Sequence, residues 1–279
     1  MSSALRFLRA PTFWLVAPLL LVMAAGFNLP LLVMLGRSVM GEGGFTLAHF
    51  GEMFGASVYM KVLLNTFRIA LVTATCCVLL GYPLAYWLRR LPPRWQMVGL
   101  SMVVIPFWIS ILVRTYAWIV VLGNAGMVNR GLMGLGLTDA PIAFLYNELG
   151  VIIGTVNVLL PFLVLPLFAS MLKIDEQLLR AAETLGASPW TTFWRVFFPL
   201  SVPSLAAGAV LVFILTLGFF ITPAVLGGGR VPMIANMLDL LVNQMPSWEI
   251  ASAISAVLLV VTLALFVLYL RLTRVEETA

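Results

Sequence analysis

Long apolar runs separated by short polar stretches set the pattern of this chain. Six runs are long enough to cross a bilayer, at residues 13–35, 63–88, 95–122, 149–172, 202–226 and 250–270. A helix needs about 20 apolar residues to span a hydrocarbon core of about 30 Å. The runs are continuous and do not alternate, which predicts helices and not the strands of a barrel. The expected class is therefore an all-α integral membrane protein with six transmembrane helices. The first run follows Arg6 and Arg9, as the core of a signal peptide would. It is far longer than the roughly 7–15 apolar residues of such a core, so it is expected to be a retained span.

One polar stretch is unlike the others. Residues 173–203, KIDEQLLRAAETLGASPWTTFWRVFFPLSVP, form an amphipathic connection between the fourth and fifth runs. Asp175 is a candidate helix cap, with Ile174 and Leu179 placed for a hydrophobic staple. Leu178, Ala181, Ala182 and Leu185 fall on one helical stripe, and Gly186 marks the stop. Ser188-Pro189 reads as the cap and first turn of a second helix, which Pro199 and Pro203 are expected to end. The prediction is two short helices joined at a Gly-to-Pro corner. Small residues at Ala181, Ala182 and Gly186 let another protein approach the backbone, while Trp190, Phe193 and Trp194 offer aromatic anchors. From the residues alone, a docking surface and a segment folded back on its own spans remain equal readings.

Elsewhere Ile234, Met237, Leu238 and Leu241 recur at helical spacing, with Asn236, Asp239 and Asn243 off that face. This predicts an amphipathic helix, either along the outer interface or packed on the bundle. The stretch 123–148 reads as a loop with a short helix. Gly227-Gly228-Gly229 reads as a helix break.

Composition supports the membrane class. Of 279 residues 62% are hydrophobic and 10% charged, with mean hydropathy +1.08. Soluble domains carry about 25% charged residues. Lys and Arg then orient the chain. One set of loops and ends collects Arg6, Arg9, Arg89, Arg90, Arg94, Lys173, Arg180, Arg195, Arg271 and Arg274; the other has Arg37, Lys61, Arg130 and Arg230. The excess predicts that both termini and the 173–203 stretch are cytoplasmic. The basic residues are spread over separate loops, so no nucleic-acid partner is expected.

Candidate chemistry is sparse. Cys76 and Cys77 are neighbours within a span and read as small apolar helix residues. His49 stands alone, so no metal site is expected. No nucleophile–base constellation is present, so no catalytic residue and no enzyme activity are expected. No Gly-Lys-Ser/Thr follows any glycine cluster, so the chain has no Walker A loop.

The connecting stretch resembles the cytoplasmic signature loop in the membrane subunits of bacterial ATP-binding-cassette importers. That loop reads Glu-Ala-Ala, three residues, Gly, then an apolar-x-apolar-Pro ending. Ala181, Ala182, Gly186 and Val196-Phe197-Phe198-Pro199 match it, while Arg180 stands at the Glu position and Glu183 follows one turn later. The stretches PFWISILVRTYAWIVVLG from Pro106, LLPFLVLPLFASMLKID from Leu159 and LVFILTLGFFITPAVLGGG from Leu211 are similar to the spermidine/putrescine-type permeases.

The resemblance implies a type I importer permease fold over residues 1–279, in the bacterial inner membrane, with 173–203 as its coupling loop. It implies Arg180, Ala181, Ala182, Glu183, Leu185, Gly186, Ala187, Ser188, Pro189, Trp190 and Pro199 as the surface that docks an ATPase dimer. ATP and Mg would bind that ATPase, with no cofactor in this chain. It implies a second permease subunit, expected to be a different chain, and a periplasmic substrate-binding protein. The function implied is half of an ATP-driven pathway for polyamines or a related small solute. Candidates along the pathway are Trp108, Arg114, Tyr116, Trp118, Phe219 and Phe220. Arg114 either lines the pathway or braces a bent helix, and Arg68 reads as a snorkelling side chain. No span has an acid at its centre, so a cationic cargo would need its counter-charge elsewhere. An anionic or zwitterionic cargo steered by Arg114 is the alternative within this machine, and an ion-coupled secondary transporter is the alternative outside it.

Overall fold

The structure, a computed structural model, describes residues 18–41 and 43–278, with side chains described as far as Thr273. The expected start of the first span at 13–17 lies outside the described residues, as do Arg6 and Arg9 and the side chain of Arg274.

Six helical segments are long and apolar enough to cross a membrane. Helix α1 is Pro18–Val39, with one wide turn at Ala24–Asn28. A two-residue hairpin follows, β1 at Met40–Gly41 pairing with β2 at Gly44–Phe45. Then come α2 (Ala48–Gly55) and the long α3 (Ser57–Arg90). Helices α4 (Pro93–Val104) and α5 (Ile111–Leu122) flank a short 3-10 turn at Ile105–Trp108, and α6 is Met127–Gly134. Helices α7 (Glu148–Lys173) and α8 (Glu176–Thr184) precede α9, which runs Pro189–Leu217. The chain closes with α10 (Ile221–Leu226), α11 (Ile234–Asn243) and α12 (Trp248–Thr278).

Two compact units result: Val58–Asp239 with the chain from Val261, and the chain up to Ser57 with Leu240–Val260. In the larger unit α7 is the central helix. Its Leu159, Leu163, Val164, Leu167 and Met171 are buried against Ala74, Cys77, Ala85 and Leu88 of α3 and Val212 of α9. Lipid tails are as apolar as leucine, so close packing and not water exclusion holds such helices together. Gly81 permits the contact, since a Cβ there would sit 2.6 Å from Leu163 Cδ2. Met233 at the approach to α11 is buried with Ile69, Val151 and Val231. Thr66 Oγ1 accepts the Ile234 amide at 2.9 Å. The start of α11 is thus packed on the bundle, the second of the two placements its periodicity allowed. In the smaller unit, the Arg37 guanidinium sits 5.5 Å from the Trp248 ring centroid.

Two expected spans differ in shape. The run 95–122 is not one helix. Pro106 has no amide hydrogen and its ring crowds the preceding turn, so the helix stops at Val104 and restarts at Ile111. The third apolar segment of spanning length is Ile111–Gly134, with a turn at 123–126. The run 202–226 is also interrupted, at Gly218, and its helix begins earlier than expected, within the polar connection.

Arg114 repairs the first break. Only 9% exposed, it donates to the Pro106 carbonyl and, at 3.1 Å, to the Ile109 carbonyl. Of the two roles left open for this residue, the geometry is that of the brace. Replacing Arg114 by Met removes both donors and should cost about 1.5–3 kcal/mol per charge-assisted bond lost. The check is the thermal unfolding midpoint of the detergent-purified chain. It should fall clearly for Arg114→Met and less for Arg114→Lys; an unchanged midpoint excludes the bracing role.

Candidate functional site

The connection between α7 and α9 is a corner whose ends are closed by its own sequence. Asp175 caps α8 by accepting the Gln177 amide at 2.8 Å. Ile174 and Leu179 flank that cap and pack on the core. At the other end the Gly186 amide bonds Glu183 O at 2.9 Å and the Ala187 amide bonds Ala182 O at 3.0 Å. This pair of bonds is a Schellman stop, which needs a left-handed residue between them. Gly186 supplies it with φ +83°. Ser188 then opens the next helix, its Oγ accepting the Thr191 amide at 3.3 Å, with Pro189 in the first turn.

The second short helix does not end at Pro199 and Pro203, as its sequence predicts. It continues as α9 through both prolines to Leu217. A wide turn at Phe193–Phe197, closed by the Phe198 amide on Phe193 O, comes just before Pro199. The extra residue in that turn shifts the bonding register where the proline ring would meet a preceding carbonyl. The corner is therefore continuous with a transmembrane helix at its C-terminal side.

Aromatic packing fixes the corner to the end of α3. Tyr86 meets Phe193 and Phe197 with ring centroids 4.9 and 5.0 Å apart. Tyr82 meets Phe198 at 5.6 Å, and its hydroxyl is 2.9 Å from Ser201 Oγ. Ser201 donates to Phe198 O, so Tyr82 is the donor to Ser201. Arg90 bonds the Tyr86 hydroxyl and lies over its ring at 4.3 Å, while Arg89 lies over Phe197 at 4.8 Å. Gln96 donates to the carbonyls of Arg89 and Leu91, closing the end of α3. Tyr82, Tyr86 and Gln96 were not among the residues picked from sequence, and Arg89 and Arg90 were picked only for the orientation they predict. Two tyrosines four apart before an Arg pair were the available signal, but their partners lie more than a hundred residues away.

The opposite face of the corner is open. Leu185 is 89% exposed and Trp190 72%, and Ala181 and Gly186 are exposed beside them. Ala182 and Ala187 are half-buried. Pro189, Trp190 and Phe193 share a groove of about 340 Å³ with Tyr86 and Arg90. Arg180 pairs with Glu176 at 3.2 Å across one turn, and both side chains are mostly in solvent. Such a pair is worth about 0.3–0.5 kcal/mol, so exchange for another acidic partner costs little. Glu183 is exposed, its carbonyl used in the Schellman stop. Pro199 is exposed at the start of the membrane part of α9.

The pathway candidates do not converge on one site. Trp108 is 86% exposed, and Tyr116 and Phe220 are also exposed. Trp118 is half-buried and donates to Asn157 Oδ1 of α7 at 3.3 Å. Asn157, a polar residue inside an apolar helix, was missed in the sequence. Phe219 packs against the core, and the Phe220 carbonyl accepts Asn236 at 3.2 Å. Arg114 bonds its own backbone through Nη2, while its Nε and Nη1 are buried without a partner. Arg68, read as snorkelling, has an exposed side chain that pairs with Glu148 at 3.1 Å.

Comparison with known proteins adds the family context. Residues 77–275 match the family described as binding-protein-dependent transport system inner membrane component. The chain is 35% identical over 263 residues to the spermidine/putrescine transport system permease protein PotB of Haemophilus influenzae, covering 93% of this chain and 88% of that one. It is 35% identical over 230 residues to PotB of Escherichia coli, covering 82% and 83%. It is 31% identical over 265 residues to a putative 2-aminoethylphosphonate transport system permease protein PhnU of Salmonella paratyphi A, covering 93% and 90%. Among solved structures, a bacterial alginate ABC transporter in complex with an alginate pentasaccharide-bound periplasmic protein superposes with TM-score 0.72 at 20% identity, covering 94% of this chain and 95% of that one.

No atom lies within 4 Å of a Cβ placed on Gly186, so only its backbone conformation resists substitution. Gly186→Ala should cost the corner about 1–2 kcal/mol. Hydrogen exchange of the Gly186 and Ala187 amides should then quicken by about tenfold. Unchanged exchange would mean that the left-handed turn does not hold the corner.

Proposed function

The chain belongs to the family of binding-protein-dependent transport system inner membrane components, and from that membership we propose that it forms one half of a polyamine import pathway driven from its 173–203 corner. The family consists of permease subunits of ABC importers, multi-pass proteins of the inner membrane that do not themselves carry out catalysis.

The observation that carries the reading is the form of the corner. It is closed at both ends by capping bonds, fixed to α3 by an aromatic cluster, and continuous with α9, yet its outer face leaves Leu185 and Trp190 in solvent. A connection that moves spans must be stiff toward the membrane and open toward its driver. We assign the open face, from Arg180 to Trp190, to a cytoplasmic ATPase dimer that binds ATP and Mg. Residues 1–279 act as one permease domain with both termini in the cytoplasm. A second permease chain completes the pathway, and a periplasmic binding protein delivers the cargo.

Closure of the ATPase dimer draws the two corners together and opens the pathway outward; hydrolysis reverses it. The aromatic cluster carries the motion into α3 and the continuous helix carries it into α9. The corner supplies the contacts that differ between states, without which nucleotide would shift nothing.

Polyamine cargo is supported by the two PotB relatives. Glu148, the acid at the head of α7, is already paired with Arg68, so the second permease or the binding protein supplies the counter-charge. The zwitterionic reading is supported by the PhnU relative. It draws no support from Arg114, whose bonds go to Pro106 and Ile109.

The assembled transporter in proteoliposomes, with ATP on the ATPase side, should take up spermidine and lose ATPase co-purification on Gly186→Trp. Trp190→Ala should weaken co-purification about tenfold or more, as for an aromatic anchor worth at least 1.4 kcal/mol. Uptake of 2-aminoethylphosphonate and not spermidine selects the zwitterionic cargo. Uptake by this chain on an ion gradient alone rejects the ATP-driven reading.

A further inference from the structure

A cavity of about 230 Å³ lies where the end of α7, the first half of α9 and the end of α12 meet, all within the larger unit. Its lining is of two kinds. Pro166, Ala169, Ala207, Gly208 and Leu211 are its apolar residues, while Ser170, Ser204, Lys173, Tyr269 and Thr273 are its polar ones. Leu211 is seven residues beyond Ser204, about 10 Å along the helix.

The polar groups other than Thr273 are unspent. Ser170 and Ser204 are 7% and 5% exposed. Serine and threonine inside helices commonly return their hydroxyl to a preceding carbonyl, as Ser201 and Thr216 do here. Among the described residues neither Ser170 nor Ser204 makes such a bond, the Tyr269 hydroxyl has no partner, and Lys173 has no ion pair. Lys173, Ser170, Ser204 and Tyr269 therefore bring one ammonium and three unspent hydroxyls to the lining, beside Thr273, whose hydroxyl donates to the Tyr269 and Leu270 carbonyls. A phosphate diester accepts from all four unspent groups. A free phosphate leaves the apolar residues facing water, and a neutral lipid leaves the ammonium without a counter-charge.

We propose that this cavity binds an anionic phospholipid of the cytoplasmic leaflet. The phosphate is held by Lys173, Ser170, Ser204 and Tyr269, and the first methylenes of an acyl chain lie against Ala207 and Leu211. The choice of leaflet rests on the orientation proposed above. Lys173 is two residues before Asp175, the cap of α8, so the bound lipid joins the membrane surface to the root of the corner.

The test uses the complete transporter in nanodiscs of phosphatidylcholine and phosphatidylglycerol. Lipid retained after mild extraction is measured by mass spectrometry. Phosphatidylglycerol should be retained over phosphatidylcholine, and Lys173→Gln should reduce that preference about fivefold. Ala207→Leu, which fills the apolar part of the cavity, should abolish retention of both lipids. Ser170→Ala with Ser204→Ala, a milder change, should lower phosphatidylglycerol retention in a complex that elutes as the wild type does. A preference unchanged by Lys173→Gln overturns the site. Displacement by glycerol phosphate as readily as by a phospholipid overturns the lipid assignment. Orientation is read separately, by labelling Gln177→Cys, exposed and outside the cavity, with an impermeant reagent in sealed vesicles. Labelling from the periplasmic side, with lipid retention intact, overturns the leaflet and the proposed topology and leaves the site standing.

Discussion

A backbone amide or carbonyl that leaves a helix in apolar surroundings must find another partner, because no water replaces the lost bond. This chain leaves its helices at three informative places, and each is repaired differently. At Pro106 the repair includes a side chain, Arg114, whose Nη2 donates to the Pro106 and Ile109 carbonyls across the break. At Pro199 it is a change of helical register through the wide turn Phe193–Phe197. At Gly186, which is exposed, the backbone closes itself, with two amides folded back onto Glu183 and Ala182. The repairs decide which segments bend and which remain stiff.

Stiffness concentrates where the polar connection meets α3 and α9. Aromatic rings from Tyr82 and Tyr86 interleave with Phe193, Phe197 and Phe198, and two arginines cover the end of the cluster. Edge-to-face ring pairs contribute about 0.5–1.5 kcal/mol each beyond their buried area. Such a cluster resists shear between α3 and the corner better than aliphatic contacts of equal size. The exposed side has the opposite character: Leu185 is almost wholly exposed, and Trp190 meets the Trp194 ring at 5.6 Å but leaves most of its surface open. One short segment thus combines a fixed inner face with an open outer one.

Charge inside the apolar segments follows the same economy. Arg114 is buried and bonded to backbone, and Arg68 is paired with Glu148. The aromatic residues first grouped as pathway candidates divide between packing, as for Phe219, interhelical bonding, as for Trp118, and open surface, as for Trp108 and Tyr116.

Much of this architecture was legible in the residue order. Continuous apolar runs require spanning helices, and a polar stretch with Asp175, Gly186 and Ser188 at its turning points specifies its own caps. Those features depend on neighbours a few residues apart, so sequence alone determined them. Tertiary structure decided the rest. It carried the second short helix through Pro199 into α9 and packed the start of α11 on the bundle. It also brought Tyr82 and Tyr86 against Phe193 and Phe197, and Asn157 against Trp118. Each of these outcomes depends on where a freed backbone group or a ring finds its partner, and distance along the chain does not encode which distant side chain stands there.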